Sequence, residues 1–134
     1  MNRTNFACVL ILMSALGGAC GVAGMNEHEL AASDGRSVLV GYGEAKTGMY
    51  GRENVKLRTE LERRSWFTDD EWRRIDAGQL QIGDRGDVMV ASWGIPDRKS
   101  SFLDAHGKDE VFTYHFATVV VRNGRVTAIN RYGR

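Results

Sequence analysis

The dipeptide Asn123-Gly124 lies between two β-rich stretches and constrains the fold of this chain more than any other sequence feature. Residues 110–121 and 125–132 on either side are rich in β-branched and aromatic side chains. Asn-Gly favours a two-residue type I′ turn, because both central positions of that turn need a positive φ. The sequence therefore predicts an antiparallel hairpin within a C-terminal β meander.

A short helix with clear end signals precedes these strands. Thr68 and Glu71 have the spacing of a capping box, in which each side chain bonds to the backbone N–H of the other residue. Phe67 and Trp72 stand at the two positions of a hydrophobic staple, which fixes how the chain enters a helix. The pattern predicts a helix over residues 69–77 that buries Trp72.

A second helix is predicted directly after the first. Gly83 leads into Asp84, and Asp84 and Asp87 have the spacing of the N-cap and N3 positions. Gly94 and Pro96 supply the signals that stop a helix. The expected buried residues are Val88, Met89, Ala91 and Trp93, with Ile82 packing just ahead of the helix.

The region before residue 66 gives weaker signals. Small and polar residues over 20–36 predict a flexible tether, and residues 37–42 read as a short strand. Residues 54–64 are ambiguous between strand and helix, with a preference for helix. The predicted organisation is residues 1–19 as a signal peptide, 20–36 as a tether, 37–65 as an irregular extension and 66–134 as the folded domain.

These elements predict an α+β fold, with two short helices packed as one layer on an antiparallel sheet. The N-terminus adds an export signal: Arg3, an apolar run over residues 6–16, and a small-residue exit. The run is about half of the roughly 20 residues needed to span a bilayer. We therefore expect a cleaved signal rather than a permanent transmembrane helix.

The end of this signal, residues 16–20, resembles a bacterial lipobox, although Gly17 stands where leucine is usual. Of the two cysteines in the chain, Cys8 lies within the segment to be removed. Cys20 would then be unable to form an internal disulfide, and acylation of Cys20 explains an unpaired cysteine in an exported protein. The residue after Cys20 is Gly21 and not the aspartate associated with inner-membrane retention of lipoproteins, which favours the outer membrane. The alternative is cleavage near Ala19 or Ala23, which would leave a soluble periplasmic protein.

Charge and motif content exclude several function classes. The chain has 18 basic and 17 acidic residues, and removal of Arg3 with the signal leaves equal numbers. This balance argues against nucleic acid as a partner, because binding to phosphates needs a basic excess. Residues 41–48 only superficially match a phosphate-binding loop. We expect no cofactor and no metal site, because His28, His106 and His115 lack the spacing of zinc ligands.

No catalytic constellation stands out, so we expect a protein that is not an enzyme. Ser100, Ser101, Asp104 and His106 are residue types found in hydrolases, but without a nucleophile elbow they are interpreted as a polar loop.

Residues 81–97 resemble the second-helix signature of the SmpA/OmlA-type (BamE-like) domains of small envelope lipoproteins. The resemblance covers residues 66–132 and includes the strand motif at 111–114 and the Asn-Gly hairpin at 119–126. Asp84 departs from the pattern, because methionine is usual after Ile-Gly. The resemblance implies an α+β domain of a fold that also occurs in β-lactamase inhibitor proteins. It specifies fold rather than activity, because the matching residues are caps, turns and core positions.

Two functions follow as expectations. The first is a lipoprotein, anchored to the membrane through Cys20, that binds another envelope protein in outer-membrane assembly or integrity. The second is a soluble periplasmic inhibitor or binding protein that uses the open face of its sheet. Candidate binding residues are Trp66, which is either a core residue or an exposed anchor, and Arg122, Arg125 and Arg131, which either solvate an edge or face an anionic surface.

Overall fold

The computed structural model describes residues 20–48 and 54–133. The predicted signal peptide, over residues 1–19, lies outside this part of the chain. The elements in chain order are α1 (Cys20–Gly24), α2 (Glu27–Ala32), α3 (Gly35–Thr47), α4 (Val55–Arg63), α5 (Asp69–Asp76), α6 (Gly86–Trp93), β1 (Arg98–Asp104), β2 (Gly107–Tyr114), β3 (Ala117–Arg122) and β4 (Arg125–Arg131).

The four strands form one antiparallel sheet in the order β1-β2-β3-β4. Asn123 and Gly124 connect β3 to β4 with φ values of 51° and 77°, so the predicted Asn-Gly hairpin is confirmed. A turn at residues 115–116 divides the predicted stretch 110–121 into β2 and β3. β1 was not predicted, because its sequence, Arg-Lys-Ser-Ser-Phe-Leu-Asp, does not alternate between polar and apolar residues. All seven of its residues are exposed in the structure. The predicted polar loop is therefore wrong for Ser100, Ser101 and Asp104, which lie in β1, whereas His106 lies in the β1–β2 turn.

Helix α5 forms as its sequence predicts. The Thr68 side chain accepts from the Glu71 backbone N–H at 3.2 Å, and the Glu71 carboxylate accepts from the Thr68 N–H at 3.0 Å. The staple is present as well, because the rings of Phe67 and Trp72 meet edge to face with centroids 5.0 Å apart. Local side-chain chemistry alone accounts for where this helix starts.

The predicted cap of the second helix is wrong in detail. α6 follows Arg85, which makes no side-chain cap hydrogen bond. Asp84 instead accepts from the Gln81 backbone N–H at 2.9 Å and pairs with Arg74 at 2.6 Å. Its carboxylate therefore closes the turn before the helix, and that turn leaves Ile82 69% exposed rather than packed. The expected burial of Val88, Met89 and Ala91 is confirmed, while Trp93 is half-buried.

The N-terminal third is helical, which corrects two expectations. The predicted tether contains α1, α2 and the start of α3, and the predicted strand over residues 37–42 lies inside α3. The glycines of α3 misled the sequence interpretation because they serve close packing. A Cβ on Gly43 would lie 2.8 Å from the Val90 side chain of α6, so α3 and α6 approach closely at this position.

The α+β class is confirmed, with more helices than the two predicted. α3 packs against α4 and α6, while α5 also packs against α6. The preference for helix at residues 54–64 is confirmed by α4, which Asn54 caps through the Leu57 N–H. The core joins the helices to one side of the sheet through Val119, Val121 and Val126. No helix in residues 20–48 or 54–133 is both long enough and apolar enough to cross a membrane.

Candidate functional site

The sheet has one face that the described helices leave uncovered. Along β3, Ala117, Val119 and Val121 are buried, and the alternating residues are only half-buried. Alternate side chains of a strand point to opposite faces, so Val120 lies on the side away from the helices. We call this side the open face and define it by Arg98, Ser100, Phe102, Asp109, Val111, Thr113, Thr118, Val120, Arg122, Ala128 and Asn130, which the strand register places together.

An apolar row crosses the centre of the open face. Val120 lies opposite Val111 on one side and Ala128 on the other, and Val111 in turn lies opposite Ser100. Directly opposed side chains in antiparallel strands have Cβ atoms about 4.5–5.5 Å apart. The row is therefore a continuous strip of small and β-branched side chains, with Phe102 standing beside it at 60% exposure.

One ion pair borders this row. The Arg122 guanidinium donates to both oxygens of Asp109, at 2.5 and 2.7 Å. The two hydrogen bonds from Arg122 hold the pKa of Asp109 below its ordinary range. Arg122 therefore has a carboxylate partner on the open face.

The other two candidate arginines lie at opposite ends of β4. Arg125, at the start of β4, is directly opposite Arg122 in the strand register, and its guanidinium is 3.3 Å from the Gly83 carbonyl oxygen. Arg131 lies at the opposite end of β4, with its guanidinium 5.3 Å from the centre of the Trp93 ring. The hairpin therefore places Arg122 and Arg125 next to each other, while Arg131 lies at the far end of β4.

A second candidate site is a polar cleft of about 550 Å³ beside Trp66, which we call the Trp66 cleft. Trp66 and Arg125 both line it, so the structure brings two of the four candidate binding residues together. Its walls are Ser65, Trp66, Thr68, Asp70, Glu71, Arg74, Gly83, Asp84, Arg85 and Arg125.

Trp66 has a structural role at the edge of this cleft. Its indole N–H donates to Asp87 at 3.1 Å, and its ring lies directly against Gly35 at the start of α3. Arg36 reaches the other oxygen of Asp87 at 2.8 Å. Trp66 and Asp87 therefore connect α3 to α6, and Trp66 is half-buried rather than an exposed anchor.

The acidic groups of the cleft have basic partners. Arg85 donates to both oxygens of Glu71 at 3.0 Å. Burial raises the pKa of Glu71, but the hydrogen bonds from Arg85 and Thr68 outweigh it, so the net pKa is lowered. Arg74 makes the equivalent pair with Asp84, and that pair raises the pKa of Arg74. Ionised, paired groups suit charge recognition and structural support better than proton transfer, which needs a pKa near the working pH.

The remaining signature positions serve the fold. Gly83 and Gly94 adopt φ values of 95° and 82°, which favour glycine. Trp93 donates from its indole N–H to the Gly78 carbonyl at 2.9 Å, and its ring contacts Tyr114 and Phe116. Pro96 is half-buried in the short connection between α6 and β1.

The three histidines are exposed and far apart in the chain, in α2, in the β1–β2 turn and in the β2–β3 turn. Within residues 20–48 and 54–133, no group of three or more His, Cys, Asp or Glu side chains is arranged to hold a metal ion.

Cys20 is the first residue of α1, which packs on α3. Two residues later, Val22 is buried against Gly41 of α3. Two residues span at most about 7 Å of extended chain. The distance between Cys20 and the folded domain is therefore short, in contrast to the tether of about fifteen residues that the sequence predicts.

Sequence reasoning missed the central row of the open face. The alternation of apolar and polar residues in β3 gave a usable signal for Val120, but its neighbours Val111 and Ala128 depend on the register between strands. It also missed the Arg74–Asp84 and Arg85–Glu71 pairs, because each joins residues ten or more positions apart.

No protein-family model, curated protein or solved structure matches this chain in the comparisons.

Proposed function

We propose that this protein is an envelope lipoprotein, anchored at Cys20, whose open face binds another envelope protein. The observation that carries the proposal is the apolar row of Val111, Val120 and Ala128, which no described helix covers. Antiparallel sheets often leave one face to solvent, but that face is then normally polar. An apolar row with polar borders has the composition of a binding patch.

The chemistry of the face indicates what kind of surface it accepts. The central row and Phe102 offer apolar contact, while Arg98 lies exposed at the edge. Arg122 is already paired with Asp109, so it adds little net charge to the face. A fitting partner presents apolar side chains to the row. Aromatic residues and arginine are enriched in protein interfaces, which fits the presence of Phe102 and Arg98 on this face.

The short connection from Cys20 to Val22 supports a particular kind of anchoring. A lipid on Cys20 would hold the domain close to the bilayer surface, because the chain enters the folded core almost at once. Stable anchoring needs more than one acyl chain, which a lipidated N-terminal cysteine provides. The proposal thus combines a fixed membrane position with a protein-binding sheet.

The binding proposal is tested by a substitution on the open face in the full-length chain. Val120→Asp places a charge in the apolar row, and we expect it to abolish co-purification of the membrane partner while the melting temperature stays near that of the unsubstituted chain. Val120→Ile keeps the row apolar and serves as the matched control. If Val120→Asp retained the same co-purifying protein at the same yield, the open face would not be the binding site.

The anchoring proposal is tested separately with Cys20→Ser. We expect the variant to lose membrane association and the mass of the acyl chains at the mature N-terminus. Full membrane retention with normal processing would show that Cys20 is not the anchor.

A soluble periplasmic inhibitor or binding protein is the second candidate. The observation that favours it is Gly17, which stands where a lipobox normally has leucine. The intact mass of the mature protein separates the two candidates, because signal cleavage near Ala19 or Ala23 without acylation leaves no lipid mass. The open face is the proposed binding surface in either case.

A further inference from the structure

The two edges of the sheet differ in how they are protected. All seven residues of β1 are exposed, including Phe102 at 60% and Leu103 at 83%. One edge of β1 pairs with β2, and no described element pairs with the other. An exposed edge strand presents unpaired N–H and C=O groups and is a template for pairing with another strand.

The opposite edge, along β4, is partly covered by the segment before α6. The backbone N–H of Gly83 donates to the Val126 carbonyl oxygen at 2.7 Å, and the N–H of Val126 donates to the backbone carbonyl oxygen of Asp84 at 2.7 Å. A third bond runs from the Gly86 N–H to the Gly124 carbonyl at 3.1 Å. The start of β4 is therefore occupied, whereas no element in the described part of the chain pairs with the outer edge of β1.

The sequences of the two edges also differ in their capacity for self-pairing. β1 reads Arg-Lys-Ser-Ser-Phe-Leu-Asp, with opposite charges at its ends. β4 has Arg125 and Arg131 at its two ends. An antiparallel pairing of a strand with its own copy brings the first residue opposite the last. Such a pairing would place unlike charges opposite each other if it formed through β1, and like charges opposite each other if it formed through β4.

We propose that two copies of this chain pair through β1, antiparallel and centred on Ser101, to form a continuous eight-stranded sheet. This is the one antiparallel register in which all seven residues are paired. It places Arg98 of each copy opposite Asp104 of the other, which gives two symmetric ion pairs. Opposite charges directly across a strand pair stabilise it, and like charges destabilise it.

The same register also shields the two exposed apolar side chains. Phe102 lies opposite Ser100 of the other copy, on the open face. Leu103 lies opposite Lys99, whose ammonium group is held 3.3 Å from Glu110 of its own chain. The aliphatic stem of Lys99 is therefore available to cover Leu103 across the interface. A two-fold symmetric pairing of this kind closes on itself and does not propagate into a filament.

This proposal does not depend on the proposed function, because it rests on the backbone edge and the end charges of β1 rather than on the apolar row. Its first test is a disulfide at the symmetry centre. Opposed residues in antiparallel strands have Cα atoms about 4.5–5.5 Å apart, which lies within the range that a disulfide spans. In the full-length chain in detergent, we expect Ser101→Cys to give a covalent dimer on mild oxidation. Asn130→Cys on β4 and the unsubstituted chain, with its native cysteines, are the controls. No increase in covalent dimer over these controls would overturn the proposal.

The second test uses charge reversal and tagged copies mixed in equal amounts. Arg98→Asp opposes acidic residues in both ion pairs, and Asp104→Arg opposes basic residues, so each variant alone is expected to be monomeric by light scattering. Their mixture restores both complementary pairs, and we expect a heterodimer. The double variant Arg98→Asp with Asp104→Arg is expected to form a homodimer again.

The outcomes of this mixing experiment distinguish the proposal from other modes of association. If the mixture and the double variant both stayed monomeric, the register centred on Ser101 would be wrong. If each single variant remained as dimeric as the unsubstituted chain, pairing would not run through β1. A chain that is monomeric in detergent at every accessible concentration would also overturn the proposal.

Discussion

Glu60 shows how a single charged residue is accommodated inside the helical part of the protein. It is buried on α4 and accepts hydrogen bonds from Arg63 at 2.6 and 3.0 Å and from Arg64 at 2.6 Å. The hydrogen bonds from Arg63, followed by those from Arg64, lower the pKa of Glu60 to about 2. The carboxylate is therefore held in its charged form by its own helix.

This environment predicts a dependence of stability on pH. An unfolded glutamate has a pKa of about 4.3, so the folded state binds its proton more weakly than the unfolded state does. The contribution of Glu60 is fully present above that pKa and is lost as the pH falls toward 2. We expect the free energy of unfolding to fall less between pH 5 and about pH 2.5 in Glu60→Gln than in the unsubstituted chain. Urea titrations at several pH values measure this, and an unchanged slope in Glu60→Gln would contradict the argument.

Gly94 shows how one residue is required by both conformation and packing. Its backbone has φ 82° and ψ −157°, a region that is essentially restricted to glycine. A Cβ there would lie 2.5 Å from the Thr47 side chain and 2.9 Å from the Gly43 carbonyl oxygen. Gly78 also has a positive φ, of 63°, but nothing lies within 4 Å of its Cβ position.

The pair gives a matched prediction about stability. Gly78→Ala carries the cost of the left-handed conformation alone, about 1–2 kcal/mol. Gly94→Ala adds a steric clash with α3 to a less accessible conformation, so we expect a larger loss, on the order of 3 kcal/mol or more. Equilibrium denaturation of both variants measures the difference. Equal losses would show that close packing at Gly94 contributes nothing.

At the scale of the elements, Arg64 fastens α2 to α4. Its guanidinium donates to the carbonyl oxygens of Leu30 at 3.1 Å and Ser33 at 2.7 Å, at the C-terminal end of α2. A basic side chain at a helix C-terminus both bonds these carbonyls and interacts with the helix dipole. α2 has only six residues, so we infer that it depends on this contact more than on its own hydrogen bonds.

We therefore expect Arg64→Ala to release α2 while the sheet stays folded. Hydrogen exchange at residues 27–32 should become faster in this variant, with little change in β3. Arg63→Ala is the matched control, because Arg63 also pairs with Glu60 but does not reach α2. Similar exchange in the two variants would show that Glu60, rather than the cap of α2, accounts for any effect.

At the scale of the whole molecule, the helices of residues 20–48 and 54–133 meet the sheet on one side only. Val119 and Val120 are neighbours on β3, yet Val119 is fully buried against the helices while Val120 lies half-buried on the open face. An unpaired charge in a core costs far more than one on a solvated surface. The two positions thus test which face of the sheet holds the fold together.

We expect Val119→Asp to unfold the domain or to lower its stability by about 3 kcal/mol or more. Val120→Asp should lower the stability by less than about 1 kcal/mol, as for most surface positions. Circular dichroism with thermal denaturation measures both. A loss at Val120 as large as that at Val119 would mean that a further segment covers the open face.

The sequence by itself determined the elements whose signals are local. The capping box and staple specify α5, because their partners lie within five residues of each other. The Asn-Gly pair specifies the last hairpin, because the turn needs two positive φ values in succession. The α+β class followed from these elements, since a helix signal beside a β meander leaves few other ways to bury both apolar faces.

Tertiary structure decided what depends on distant partners. α3 has a glycine at position 43 because α6 needs the space there, although glycine usually counts against a helix. Asp84 leaves the cap position that its spacing predicts, because Arg74 and the Gln81 N–H hold its carboxylate. The open face and the β1 edge also depend on distant partners. The open face exists only through the register that aligns Val111, Val120 and Ala128, and β1 becomes an edge only because the sheet ends there. Spacing along one chain carries no information on these contacts, because they form between residues that folding brings together.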